Sequence, residues 1–215
     1  APQTRLASAA MIRDILFKAK EYARKEKAGE SQEFRLELAA LSRVFDGMPV
    51  QMAAMKANDM ETAVRIGEEF GLNYVLTMAY DASQVIRDLD RKDLRFIIGP
   101  LYGTSFSVEE NGKSLSLGAE LEKEGVHAAI STGHPEMNLE ILSTQLILMT
   151  DRGLSRKEAI RGVTAYPAEC MGISSRVGTL EPGKDADLVI WDGDPLEYDG
   201  GVKRLFIDGE EIALS

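Results

Sequence analysis

The sequence predicts an α/β fold, with four βα units in a row building one parallel sheet and a small β appendage at the C-terminal end. Three observations predict it. Short apolar runs alternate with runs of helical period between residues 49 and 132, and strands separated by helices are joined by crossovers, hence parallel. The breaks between runs carry helix start and stop residues. From Gly178 the pattern changes to short strands between turn clusters, in "GTLEPGKDADLVIWDGDP" and "VKRLFIDGEEIAL".

Two helices come first. Residues 5–27 place Leu6, Ala9, Ala10, Ile12, Ile15, Leu16 and Ala19 at helical spacing, and a second helix over 31–45 ends before Gly47, a usual stop residue. A strand at 49–53 then leads to a helix at 59–70, where Asn58 and Glu61 have capping-box spacing and Gly71 closes the far end. A strand at 74–78 precedes a helix at 82–89, a strand at 96–99 precedes a helix at 115–124, and a fourth strand runs over 127–132. Gly153 stops the helical run in front of it, and Ser155 with Glu158 repeats the capping-box spacing before Ala159 and Ile160. In the appendage, 186–191 reads as a strand, and Asp208-Gly209 reads as the tip of a hairpin. The expected division is 1–177 for the α/β part and 178–215 for the β part.

Composition narrows the function classes. The 215 residues are 44% hydrophobic, enough to bury a core. A net charge of −10 argues against nucleic acid as a partner. The one basic run, Arg24, Lys25, Glu26, Lys27, is interrupted by an acid at a helix end and reads as a solvated face. No stretch is apolar enough to span a bilayer, and the single Cys170 cannot form an internal disulfide; both fit a reducing, cytoplasmic setting. The only histidines are His127 and His134, already few for catalytic zinc, which typically takes about three protein ligands.

The stretch "GVTAYPAECMGISSRVGTLEPGKDADLVIWDGDPL" closely resembles the closing segment of the amidohydrolase superfamily, in its imidazolonepropionase-like branch. "KANDMETAVRIGEEFGLNYVL" and "GVHAAISTGHPEMNLEIL" resemble segments around the fifth, sixth and eighth strands of the same family. The resemblance implies that the four units are the C-terminal half of a (β/α)8 barrel. It implies a zinc or iron centre at the barrel mouth, held by a His-x-His pair on the first strand, histidines on the fifth and sixth, and an aspartate on the eighth. Matched by position, Ala53 and Met55 stand where relatives carry the fifth-strand His-Ala-His, Met78 stands at the sixth-strand His, and Gly133 stands at the Asp before His-Pro. The first-strand pair has no counterpart. The departures fall on the ligand positions while their flanks stay family-like, the pattern of a site emptied as a unit, in a natural inactive relative or an engineered fragment.

Among individual residues, His134 in "STGHPE" is a catalytic candidate, set against a loop-capping role. Lys56 is a second, as an anion ligand or desolvated nucleophile, set against a solvent-facing amine. His127 starts a strand, at the end of the barrel that carries stability. Met52, Met55 and Met78 are core filler that can in principle bind Cu(I). Cys170 reads as buried, Asp185 and Asp187 as turn residues, and "GPLYGT" at 99–104 as a weak ligand loop.

The expected function is therefore a metal-free, inactive amidohydrolase-like half barrel, without a cofactor of its own. The alternative is an amidohydrolase acting on the C–N bond of a cyclic amide. Open edges are expected at 49–53 and 127–132, with Val50, Met52, Leu76, Ile98 and Ile130 or their neighbours on a bare inner face, so the expected partner is a second copy or a complementary half barrel.

Overall fold

The computed structural model describes residues 4–105 and 107–214. Helix α1 (Arg5–Lys27) starts at Thr4, whose hydroxyl accepts from the Ala7 N–H, and it is followed by the short α2 (Leu36–Ser42). The second helix is shorter than its periodicity suggests. Residues 43–46 tighten into a 3₁₀ turn that ends at Gly47 with φ 89°, a left-handed stop.

The alternation then runs as expected: β1 (Val50–Ala53), α3 (Ala57–Phe70), β2 (Tyr74–Thr77), α4 (Ala82–Leu89), β3 (Phe96–Ile98), α5 (Leu117–Lys123), β4 (Ala128–Ile130). All neighbours pair in parallel in the order β1-β2-β3-β4, with Ala53 opposite Thr77 and Ile97 opposite Ala129. Helix α3 starts two residues earlier than predicted, and Asn58 is not its cap. The first free N–H, that of Ala57, is instead taken by the Asp81 carboxylate at 3.3 Å from the loop after β2, a tertiary acceptor doing what a local cap does elsewhere.

Side chains alternate across the sheet. Leu76, Phe96, Ile98 and Ile130 face the helices, in a core with Met60, Val64, Ile86, Leu121 and Met149. Val50 and Met52 face the same way, toward Leu16, Ile66 and Phe70. Of the two alternatives expected for the inner face, the named residues are therefore not the ones on it. The inner face is carried by their neighbours Ala53, Val75, Thr77, Ile97 and Ala129.

That face is not bare. After β4 the chain forms α6 (Leu142–Asp151), α7 (Arg156–Val163) and α8 (Ala165–Cys170). Helix α7 packs outside β4, so closely that a Cβ on Gly162 would lie 2.6 Å from Ile130. The chain then turns at Thr164, and α8 lays Ala165, Tyr166 and Cys170 on Val75 and Ala129. Cys170 is thus buried, as its sequence context suggests.

The C-terminal strands β5 (Leu188–Asp192), β6 (Gly201–Ile207) and β7 (Glu210–Ile212) form a separate antiparallel sheet. Asp208 and Gly209, both at positive φ, make the expected hairpin tip. Leu196, between β5 and β6, is buried in the core of the α/β part. No helix among the described residues is long and apolar enough to cross a membrane.

Candidate functional site

The ends of β1, β2 and β4 bring four sequence-marked positions to one end of the sheet. Ala53 closes β1 and Met55 follows by two residues; Met78 directly follows β2; Gly133 lies three residues beyond β4. The β1 and β2 ends are tied together by backbone, with the Ala54 N–H donating to Thr77 O at 3.0 Å and the Asp81 N–H to Met55 O at 3.3 Å. Ala53 is exposed on the inner face, while Met55 and Met78 turn partly into the core beside Ala54 and Ala79. Met78 has φ 55°, where the chain leaves the strand.

The floor of this end is set by a residue that the sequence reading missed. Gln145, fully buried on α6, accepts from the Leu101 N–H at 2.9 Å and donates to Ser131 O at 3.1 Å. One amide thereby fastens the loop after β3 to the end of β4. A polar residue inside the apolar run "LSTQLILM" is the signal for it, because a buried amide needs partners. Ser131 in turn accepts from the Gly133 N–H through its hydroxyl at 2.9 Å.

Beside it lies a charge cluster built on a buried lysine. The Lys113 ammonium, 5% exposed, sits 2.6 Å from Glu110 and 3.0 Å from Glu136, and 5.4 Å from the centre of the Tyr80 ring. Burial works against its charge, but the hydrogen bonds to Glu110 and Glu136 prevail and hold its pKa above the ordinary lysine value. Burial pushes the Tyr80 phenol up to about 12. This cluster ties the loop after β3 to the loop after β4 through Lys113.

Lys56 is not the solvent-facing amine that its position suggests. It is three-quarters buried, and its ammonium lies 3.5 Å from Asp81, the carboxylate that also anchors the start of α3. His134 is exposed and has no hydrogen-bond partner among the described residues, so the loop-capping role expected for it is not met. The structure does not bring Lys56 and His134 together through any contact. Asp185 and Asp187 serve the appendage, pairing with Arg176 and accepting from the Asp208 N–H at 2.9 Å. In loop 99–104 the Leu101 N–H is taken by Gln145.

A zinc or iron centre does not fit these residues. Ala53 and Gly133 have no donor, and Met55 and Met78 offer thioethers, where such ions take imidazole, carboxylate or thiolate. Among the described residues no three His, Cys, Asp or Glu side chains are grouped so as to hold a metal.

Comparison with known proteins places this arrangement. The model of the amidohydrolase family matches residues 18–212. The imidazolonepropionase of Maricaulis maris is 28% identical over 171 residues, 78% of this chain and 41% of the relative; that of Sphingopyxis alaskensis is 40% identical over 81 residues, 36% of this chain and 20% of the relative. The crystal structure of an amidohydrolase from Thermotoga maritima superimposes with a TM-score of 0.91 at 33% identity, covering 99% of this chain and 57% of that one. The chain thus spans less than half the length of these curated relatives and a little over half of that structure.

Proposed function

The chain belongs to the amidohydrolase family, on its imidazolonepropionase-like branch, and from that premise we propose that it is a metal-free member in which half a barrel wall serves assembly rather than hydrolysis. One observation carries the reading: the positions matched to the fifth-, sixth- and eighth-strand ligands hold Ala53, Met55, Met78 and Gly133. The parent chemistry, hydrolysis of a C–N bond in a cyclic amide, needs a metal to make hydroxide and a carboxylate to move the proton. None of the four positions supplies either. Metal analysis of the purified chain tests this directly. The reading expects no stoichiometric zinc or iron, and stoichiometric metal together with C–N hydrolysis would restore the enzymatic alternative.

Assembly is supported by β1 and β4, each of which keeps one edge without a partner strand among the described residues. Beside β1, helix α1 exposes Met11, Ile12 and Ile15. The occupant proposed for this surface is a complementary set of four βα units with an open inner face, carried on the same polypeptide or on another. Helix α8 is the reason. It already lies on Val75 and Ala129 of this inner face, so the space in front of them is taken by a helix about 10 Å across. A second copy pairing edge to edge would bring its own α8 into the same space.

A further inference from the structure

We infer that the carboxylate position of the family's metal centre is closed by the backbone as well as emptied of its donor, so that restoring the donors does not reopen it. The inference rests on the correspondence of Gly133 with the eighth-strand aspartate drawn above. Gly133 has φ 64°, a conformation that side chains with a Cβ rarely adopt. A Cβ built there would lie 2.6 Å from Cδ and 3.3 Å from Cγ of Pro100, well inside van der Waals contact.

Pro100 cannot simply withdraw. On its C-terminal side, the Leu101 N–H is held by Gln145 at 2.9 Å, and the same amide holds Ser131 O at 3.1 Å. On its N-terminal side, Gly99 approaches β4 so closely that a Cβ there would lie 1.9 Å from Ser131 O. The Ser131 N–H also donates to Ile98 O at 2.9 Å, and the Gly133 N–H to the Ser131 hydroxyl at 2.9 Å. Both strands that carry the contact are therefore pinned to each other on either side of it. The Pro100 ring and the Gly133 backbone occupy the space that a side chain at 133 requires. Absence of the donor and closure of its place are two separate features of this chain, and only the first is undone by substitution at 133.

A mutant cycle tests it. Gly133→Asp and Gly133→Ala are compared with the unmodified chain, with Pro100→Ala alone, and with Pro100→Ala combined with each, by thermal midpoint and circular dichroism. Each substitution at 133 is expected to lower the midpoint by about 5 °C or more. Combining it with Pro100→Ala should cost less than the sum of the single changes, since the clash is then relieved. If Gly133→Asp does not fold, Gly133→Ala carries the same test with one methyl group. Melting at the midpoint of the unmodified chain for both variants, or strictly additive effects with Pro100→Ala, would overturn the inference. Zinc titration separates it from the proposed function. Zinc bound by the unmodified chain overturns the function. In a chain carrying Ala53→His, Met55→His and Met78→His, a tenfold or greater gain in zinc affinity on adding Gly133→Asp with Pro100 intact overturns only the closure.

Discussion

His127 donates from Nδ1 to the Glu158 carboxylate at 2.7 Å, and the Tyr166 hydroxyl donates to the same oxygen at 2.7 Å. The first residue precedes β4, the second lies on α7 outside the sheet, and the third on α8 inside it. One carboxylate thus fixes the turn by which the chain passes from one face of the sheet to the other. The His127 and Tyr166 rings stack with centroids 4.8 Å apart, and the Arg161 guanidinium covers the Tyr166 ring at 4.9 Å.

This relationship predicts acid sensitivity. Burial by itself would raise the Glu158 pKa, but the hydrogen bonds from Tyr166 and His127 outweigh it and hold the group below its ordinary value of 4.5. A carboxyl depressed in the folded state contributes stability above its unfolded pKa and loses it as pH falls through the folded value. Urea midpoints should accordingly drop below about pH 4.5. Glu158→Gln should flatten that limb and cost about 1–3 kcal/mol at neutral pH. An unchanged acid limb in the variant would show that Glu158 is not its source.

The Lys113 cluster predicts a large effect from one substitution. Lys113→Met removes the ammonium that neutralises the largely buried Glu110 and the more exposed Glu136; breaking a buried pair typically costs about 3–5 kcal/mol, and with Glu136 partly solvated the expected cost lies near the lower end, about 3 kcal/mol. The triple change Lys113→Met, Glu110→Gln, Glu136→Gln should cost less than Lys113→Met alone. Denaturant midpoints for the two variants decide it. Burial raises both Tyr80 and Tyr166, the latter helped by its hydrogen bond to Glu158, so ultraviolet titration of the unmodified chain should find two tyrosines ionising late, and Tyr80→Phe should remove the one expected near pH 12 while leaving the other.

Much of the fold was legible because the local signals agree with one another. Period-two and period-3.6 runs located β1 to β4 and their helices, and Asp208-Gly209 announced the hairpin. What escaped was decided by contacts distant in sequence. The α3 cap comes from Asp81, 24 residues away. The same holds for Ser155: it caps α7 through its hydroxyl at 3.2 Å, yet Glu158 does not return to it as a capping box would. Glu158 is committed to His127 and Tyr166, and the Ser155 N–H goes to Glu122 at 2.9 Å. The four strand-end positions were legible through family resemblance, since an absent donor leaves no signal of its own. Gln145 and the Gly133–Pro100 contact were not, because neither side of that clamp has a partner near it in the chain.

The clamp itself makes a prediction. Gln145→Leu removes the acceptor of the Leu101 N–H and the donor to Ser131 O while keeping an apolar side chain of similar size. Two buried backbone groups then lose their partners, and the expected cost is about 2–5 kcal/mol. Gln145→Glu keeps an acceptor for Leu101 and loses the donor to Ser131, and it also buries a carboxyl group. Its loss should therefore grow with pH as that group ionises. Thermal midpoints of both variants between pH 5 and 8 check this; a Gln145→Leu variant as stable as the parent would show that the clamp contributes little.

The open edges predict how the chain behaves alone. Leu76, Ile98 and Ile130 are already buried against the helices, and α8 covers Val75 and Ala129. What remains uncovered is narrower than a bare barrel wall and includes the β1 and β4 edges, the inner-face residue Ala53, and the α1 flank of Met11, Ile12 and Ile15. Such a surface is apolar enough to attract an environment-sensitive dye, and a second copy reaching the stable-interface size of about 800 Å² per partner would have to bring its own α8 into the space that this α8 fills. At micromolar concentration the isolated chain should therefore sediment without a discrete dimer and should bind an apolar dye. Ile12→Lys with Ile15→Lys on α1 should reduce that binding by at least half while leaving the thermal midpoint within a few degrees, because both side chains are already substantially exposed. Sedimentation equilibrium and dye titration on the same samples decide between the occupants. A dimer that persists on dilution and excludes the dye would mean that a second copy closes the barrel despite α8, and the complementary half proposed for that surface would be given up.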